Sequence, residues 1–266
     1  MLIAITRQVS ASLASCELTW LSRESIDIGK ARAEHAAYEN CLRDLGAQVI
    51  SLPALEAHPD AVFVEDPAIV LDGVAVITTM GAASRRGERE SLAEALAPFR
   101  SLIYLREPAT LEGGDVMRVG RKLYAGLSAR TNQAGVKQLR AELKPYGYEV
   151  EGVELRGCLH LKSGACCVDE DSVLLNRAWV DASRFGEYRL IDVAPNEPGA
   201  ANVLRVGETL VMPNAFPETA ATLRREGFSV VEIEMTELMK AESGVTCSSL
   251  IFDADYSTST PDNFRP

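Results

Sequence analysis

Residues 112–127 read EGGDVMRVGRKLYAGL. A turn at Gly113-Gly114 opens an apolar hairpin, and what precedes it is as regular as the hairpin itself. Upstream comes a helix (88–97) that stops before Pro98, then the β-rich run LIYL. The same grammar returns along the chain. VFVEDPAIVLDGVAVIT (62–78), LHLKSGACCVDEDSVLL (159–175) and ANVLRVGETLVMP (201–213) read as further hairpins, and VTCSSLIF (245–252) is left to pair with LIAIT (2–6). Helices are predicted over 27–45 with Asp27 as N-cap, over 131–144 from Thr131, and over 217–226. Each is followed by a glycine and a strand: AQVISL, YEVEGVEL and FSVVEIEM. The hairpin openings fall at Glu65, Glu112, His160, Asn202 and Cys247, spaced 42–48 residues apart.

Five strand-rich units of nearly constant period predict a closed ring in which each unit buries its face against its neighbours. Alternating helices and strands put that ring in the α/β class. The first strand of each hairpin would line a central channel, so Glu65, Glu112, His160 and Cys247 would meet although they are far apart in sequence. The expected organisation is one domain over residues 1–252 and a polar tail over 253–266 that frays.

Composition narrows the function. With 47% apolar residues the chain can bury a sizeable core. A formal charge of −11 and 6% aromatics disfavour nucleic acid and suit a cationic small molecule. The apolar start at Met1–Thr6 is cut short by Arg7, and Asp72-Gly73 interrupts the longest uncharged stretch as a hairpin turn. Neither a membrane partner nor export is expected, and the reading is cytoplasmic. None of the six cysteines forms a CxxC pair, so neither zinc nor disulfides are expected.

Chemistry concentrates at the openings. VFVED (62–66) reads as a buried strand carrying two adjacent carboxylates, Glu65 and Asp66, which need a cation because a buried unpaired charge is costly. His35 and His58 read as a helix residue and a solvated loop residue. His160, in CLHLKSG, reads as a strand start and by itself fits a core histidine as well as a proton carrier. Cys247, in SGVTCSS behind a short helix at 237–242, has polar neighbours suited to a thiolate, with Gly244 allowing close approach. A nucleophilic thiol needs a histidine to move protons and a carboxylate to orient it, and Glu112 is available. No dinucleotide or phosphate-cradling glycine pattern and no G-x-S-x-G motif is present.

Taken together, FVED, ASRRGE, LEGGDV, GLSARTNQAG, CLHLKS and GVTCSS closely resemble the dimethylarginine dimethylaminohydrolases, of the guanidine-modifying (pentein) superfamily. The resemblance runs from about residue 4 to residue 252. It implies a five-bladed α/β propeller that hydrolyses Nω-methylated arginine to citrulline and a methylamine without metal or organic cofactor. By match to the motifs, Cys247 would be the nucleophile, His160 the general acid and base, and Glu112 its support. Glu65 and Asp66 would grip the guanidinium, so that the missing cation is the substrate. Asp60 and the Leu18 backbone would receive the α-amino group, and Arg85 and Arg130 would clamp the α-carboxylate. Similar deiminases carry a second carboxylate two residues after the histidine, where this chain has Lys162. That difference fits a methylated guanidine. The loop SLASCELTWLSRES (12–25) would cover the site, with Trp20 and Cys16 unassigned.

Two alternatives stay open on sequence. One is a hydrolase or deiminase of another guanidine, such as arginine or agmatine; the other is a propeller that only binds. The expected partner is a guanidine amino acid, and the protein would be a monomer or homodimer.

Overall fold

The hairpin at 112–127 forms as two strands. Val116–Val119 runs antiparallel to Lys122–Leu127, with Val116 opposite Ala125, and Lys122–Leu127 pairs in parallel with Glu149–Glu154. In this computed structural model, which describes residues 1–254 of the 266, the same three-strand unit occurs five times. The middle strand of each unit is antiparallel to one neighbour and parallel to the other. Those middle strands are Leu2–Arg7, Val74–Ile77, Lys122–Leu127, Ser172–Leu175 and Thr209–Pro213. The ring closes where Leu250–Asp253 pairs with the first strand, Leu2 opposite Asp253. The molecule is a five-bladed α/β propeller.

Each middle strand contains an unbroken apolar run, with polar residues such as Arg7, Lys122, Ser172 and Thr209 only toward its ends, and the core shows why. Successive side chains of a strand point to opposite faces, so each middle strand serves two neighbouring blade interfaces at once. Val74 and Val76 pack with Leu123 and Ala125 of the next blade, whereas Ala75 and Ile77 pack with Ile3 and Ile5 of the previous one. Tyr124 turns toward Val173 and Leu175, and Leu174 toward Leu210 and Met212. Val211 packs with Ala4 and completes the circuit.

Parallel pairing needs a crossover, and helices supply it in four blades. These are α1 (Ile28–Asp44), α2 (Arg89–Leu96), α3 (Gln133–Leu143) and, after the short α4 (Leu161–Gly164), α5 (Pro217–Arg225). The blade containing Ser172–Leu175 crosses over with only a 3₁₀ turn at Ala182–Phe185. Asp27 caps α1 by accepting from the Lys30 amide. The N-cap of α3 is Asn132, one residue after the expected Thr131, because the Asn132 carboxamide accepts from Gly135 N at 2.7 Å. The short helix before Cys247, α6 (Thr236–Met239), ends earlier than expected.

The inner strands of all five blades line a central cavity of about 290 Å³. Its walls include Ile69, Met117, Cys166, Leu204 and Ile251, with Glu65, Lys162 and Thr246 among the groups at its end. Of the expected tail, Asp253 belongs to the closing strand and Ala254 bonds back to the Met1 carbonyl. Residues 255–266 lie outside the described residues. No helix among the described residues is long and apolar enough to cross a membrane.

Candidate active site

Each of the five openings sits in a short turn or helical cap just before its inner strand. They are tied to one another around the ring by hydrogen bonds. Glu65 N donates to the Cys247 carbonyl at 3.2 Å, and Gly113 N to the Asp66 carbonyl at 2.8 Å. Leu161 N donates to Asp115 Oδ1 at 3.0 Å, and Asn202 Nδ2 to the Lys162 carbonyl at 3.2 Å. Thr246 N donates to Asn202 Oδ1 at 3.1 Å and closes the circuit. Residues scattered over nearly two hundred positions are thereby held in one belt.

Two expectations about local structure fail here. Residues 62–66 form a turn and the strand begins only at Ala68, so Glu65 and Asp66 are not alternating strand residues. His160 is the N-cap of α4 and not a strand start, although its backbone is extended at φ −133° and ψ 161°.

His160 and Glu112 form the centre of the belt. Both are buried, and His160 Nε2 lies 2.8 Å from Glu112 Oε2. Glu112 Oε1 also accepts from Gly81 N at 3.1 Å, and Arg130 Nη1 lies 3.7 Å away. Burial alone would raise the Glu112 pKa, but the His160 bond and charge, with Arg85 and Arg130, outweigh it and hold the group at about 2. The reverse holds for the imidazole. Burial disfavours its charge, yet Asp66, Asp115 and Glu112 raise it to about 9. A carboxylate fixed on Nε2 leaves Nδ1, 3.8 Å from Asp66 Oδ1, as the nitrogen facing the other groups. Gly114 has to be glycine here, because a Cβ would come within 2.6 Å of Nδ1 and 2.7 Å of Asp66 Oδ1.

Cys247 is half-buried in a 3₁₀ turn, Thr246–Ser248, and its Sγ accepts from Gly244 N at 3.3 Å. Burial, then the charges of Glu65 and Asp66, push its thiol pKa well up, so by itself it is a protonated thiol. Tyr38 of α1 steadies the loop by donating to the Val245 carbonyl at 3.0 Å. A Cβ at Gly244 would fall 2.3 Å from Asn202 Oδ1, which explains the glycine at the close approach.

The carboxylate pair brings the main correction. Glu65 and Asp66 do not lack cations. Lys162 Nζ lies 2.5 Å from Glu65 Oε1, and Thr246 donates to Oε2 at 2.8 Å. Asp66 Oδ2 accepts from Arg85 Nη1 at 2.7 Å, and Oδ1 accepts from Gly114 N at 3.2 Å. Arg85 therefore has different partners from those expected of a carboxylate clamp. Its Nε and Nη2 bind Glu88 at 2.9 and 2.8 Å, and Nη2 also reaches the carbonyls of Asp60 and Phe63. Burial opposes this guanidinium's charge, but Glu88 and Asp66 more than restore it.

Arg130 is different. Its Nη2 donates to Thr19 Oγ1 at 3.2 Å, while Nη1 is buried without a hydrogen-bond partner. Asp60 accepts from Glu17 N at 3.2 and 3.1 Å, which places it beside Leu18 in the covering loop. That loop is latched from the other side. The Glu242 carboxylate accepts from the successive amides of Thr19, Trp20 and Leu21, and Glu242 adopts a left-handed φ of 57°. Cys16 is buried in the core beneath the loop, and Trp20 is 57% exposed.

Asp115, Thr246 and Lys162 were not foreseen as parts of the belt. Asp115 is fully buried, accepts from Leu161 N and Ser128 Oγ, and is pushed up to about 6 by burial. A signal existed in LEGGDV, where an acid follows two glycines at the same opening as Glu112. Asp66, Glu112 and His160 offer ligand atoms within 4.8 Å of one another. His160 Nε2 is already bonded to Glu112 and Asp66 to Arg85, so the trio has the chemistry of a proton-transfer cluster rather than of a free metal cage.

A propeller whose ring of openings unites a cysteine with a buried histidine–carboxylate pair defines a class, the pentein hydrolases that break guanidino C–N bonds. Comparisons with known proteins narrow it. The family described as N,N dimethylarginine dimethylhydrolase, eukaryotic, matches residues 7–175. The N(G),N(G)-dimethylarginine dimethylaminohydrolase of Pseudomonas aeruginosa is 37% identical over 228 residues, covering 85% of this chain and 90% of its own. That of Streptomyces coelicolor is 37% identical over 249 residues, covering 93% and 95%. A cysteine-to-serine mutant of the Pseudomonas aeruginosa protein complexed with citrulline superposes with a TM-score of 0.89 at 35% identity, covering 94% of this chain and 98% of that one. The N-terminal domain of a cyanobacterial arginine dihydrolase shares the fold at 20% identity, with a TM-score of 0.86 and coverage of 94% and 97%. The chain belongs to the dimethylarginine dimethylaminohydrolase family.

Proposed function

We propose that this protein hydrolyses Nω-methylated L-arginine to L-citrulline and methylamine or dimethylamine, with Cys247 as nucleophile. The observation that carries the reading is the buried His160–Glu112 pair, set in the same hydrogen-bonded belt as Cys247. Glu65 and Asp66 would still receive the guanidinium, since each carboxylate oxygen has two lone pairs and accepts one strong bond here. They do so with their charge already partly compensated by Lys162 and Arg85. Arg130, whose Nη1 has no hydrogen-bond partner, would take the α-carboxylate, and Asp60 with the Leu18 carbonyl would take the α-amino group.

A bound guanidinium offsets the carboxylate charges that, after burial, hold the Cys247 thiol up, and so favours its thiolate. The thiolate attacks the guanidinium carbon and forms a C–S bond. His160, charged at neutral pH, gives its Nδ1 proton to the methylated nitrogen, and the amine leaves with the C–N electron pair. A thiouronium remains on Cys247. Neutral His160 then takes a proton from water as its oxygen bonds to the same carbon. Breaking the C–S bond returns the thiolate, the remaining hydroxyl proton passes to solvent, where the free amine takes one up, and citrulline is released.

Formation of the ureido product from asymmetric dimethylarginine, monomethylarginine, arginine and agmatine, measured side by side as citrulline or, for agmatine, as its decarboxylated ureido analogue, tests the substrate. The methylated arginines are expected to be turned over fastest. Agmatine, lacking the carboxylate for Arg130, is expected to be the poorest. Arginine hydrolysed faster than both methylated forms would overturn the assignment.

A further inference from the structure

The proposed reaction leaves one fully buried carboxylate of the belt without a task, that of Asp115. Its two oxygens face two different parts of the site. Oδ1 accepts from Leu161 N at 3.0 Å, the amide directly after His160. Oδ2 accepts from Ser128 Oγ at 2.6 Å. Ser128 stands two residues before Arg130, and its hydroxyl in turn accepts from the amides of Arg130 at 3.0 Å and Thr131 at 3.2 Å. Thr131 Oγ1 accepts from Glu112 N at 3.1 Å, and Asp115 N donates to the Glu112 carbonyl at 3.0 Å. Space is kept for this carboxylate, since a Cβ at Gly126 would fall 2.8 Å from Oδ1.

A hydroxyl has one proton and two lone pairs. Both lone pairs of Ser128 Oγ serve amides, so its proton is committed to Asp115, and the group there has to accept. An ionised carboxylate accepts on both oxygens. An asparagine would keep the acceptor for Leu161 N but turn an N–H toward a hydroxyl that has nothing left to accept with. Burial pushes Asp115 up only to about 6, which leaves it ionised at neutral pH.

We propose that Asp115 is a positioning residue that fixes Arg130, at the substrate's α-carboxylate, in register with His160, at the reacting carbon. The inference rests on the proposed function, because it takes Arg130 to bind that carboxylate. Asp115 is enclosed and acts through its neighbours: through Ser128 on the turn that carries Arg130, and through Leu161 N on the segment that carries His160. Both ends of an arginine-length substrate are thereby placed from one buried charge. The same charge bears on the imidazole. Burial opposes the His160 charge, and Asp66, Asp115 and Glu112 restore it.

Two variants separate the two arms. Ser128→Ala keeps the carboxylate and breaks only the link to Arg130. Asp115→Asn breaks that link, keeps the acceptor for Leu161 N and removes the charge. In a Cys247→Ser background, calorimetry with Nω-monomethyl-L-arginine is expected to show about tenfold weaker binding for both, the loss of one charge-assisted hydrogen bond. In the active protein Ser128→Ala is expected to raise KM by a similar factor with kcat little changed, as removal of uniform binding does. With three histidines in the chain, the His160 ring is followed by NMR in protein carrying isotope-labelled histidine. Its titration is expected to move down by about one pH unit in Asp115→Asn and to stay in place in Ser128→Ala. Unaltered affinity in Ser128→Ala would overturn the proposal, and so would an unshifted His160 ring in Asp115→Asn. Should Asp115→Asn fail to fold, Ser128→Ala decides by affinity alone. Failure of the parent Cys247→Ser protein to bind monomethylarginine, or of the wild type to convert it, would instead sink the reaction proposed above, and the ring titration, which needs no substrate, would still decide whether the Asp115 charge reaches His160.

Discussion

Asp66 carries a buried salt bridge with Arg85, and that changes what its side chain is for. Arg85 is 4% exposed and gives its N–H groups to Asp66, Glu88 and two carbonyls. Removing the Asp66 charge leaves Arg85 with Glu88, so the expected cost is that of one charge-assisted hydrogen bond, about 1.5–3 kcal/mol. Asp66→Asn should accordingly lower the melting temperature by several degrees when measured without ligand. An unchanged or raised melting temperature, with substrate affinity lost, would mean that the carboxylate is kept for the ligand alone. Sequence could not decide this. VFVED displays two acids that need a cation, but Lys162 stands ninety-seven positions from Glu65 and Arg85 nineteen from Asp66. Only the fold brings either pair together. The places of His160, Glu112 and Cys247 in the belt were legible because the repeat gives them equivalent positions; Thr246 was not, because nothing in the repeat marks which neighbour of an opening turns inward.

At the scale of elements, the loop over residues 16–22 matters most to the site, and it has little secondary structure of its own to hold it. It is pinned at one end by Asp60 on the Glu17 amide and at the other by Glu242 on three successive amides. A carboxylate accepting several backbone N–H bonds is a strong, charge-assisted anchor. Glu242 lies between α6, which ends at Met239, and Cys247, so the loop is fastened to the segment that leads to the thiol. Glu242→Gln is expected to keep the fold, raise KM several-fold and make the 16–22 amides exchange faster with deuterium. Unchanged exchange in that loop would show that the latch does not hold it. The four crossover helices were readable from their periodicity, with ends misplaced where a cap was chosen by geometry, as at Asn132, whose carboxamide reaches the Gly135 amide; the single turn of α4 was not. The turn at 62–66 was not readable, since VFV and AIV are both good strand sequences and Glu65-Asp66-Pro67 gives no sign of where the strand begins.

Across the whole molecule, the five blades are alike in their strands; they differ at their openings and, in the blade of Ser172–Leu175, in a crossover without an α-helix. Alternate residues of each middle strand are divided between two interfaces, which makes the ring regular. Each opening then contributes one kind of group: carboxylates at Glu65 and Asp66, a buried acid at Glu112, an imidazole at His160, a carboxamide at Asn202, a thiol at Cys247. The thiol stays protonated while burial, Glu65 and Asp66 dominate its surroundings, and a bound cation relieves the charge part of that penalty. The proposed chemistry therefore requires that Cys247 become covalently attached to the substrate carbon during turnover. Rapid acid quenching of the wild-type protein with asymmetric dimethylarginine, followed by mass spectrometry of the proteolysed chain, reads this directly. The predicted result is an adduct on the Cys247 peptide that appears before citrulline reaches steady state, is absent from the other five cysteines, and is lost in Cys247→Ser together with all turnover. Citrulline formed at the normal rate by Cys247→Ser, or an adduct on any other residue in its place, would contradict it.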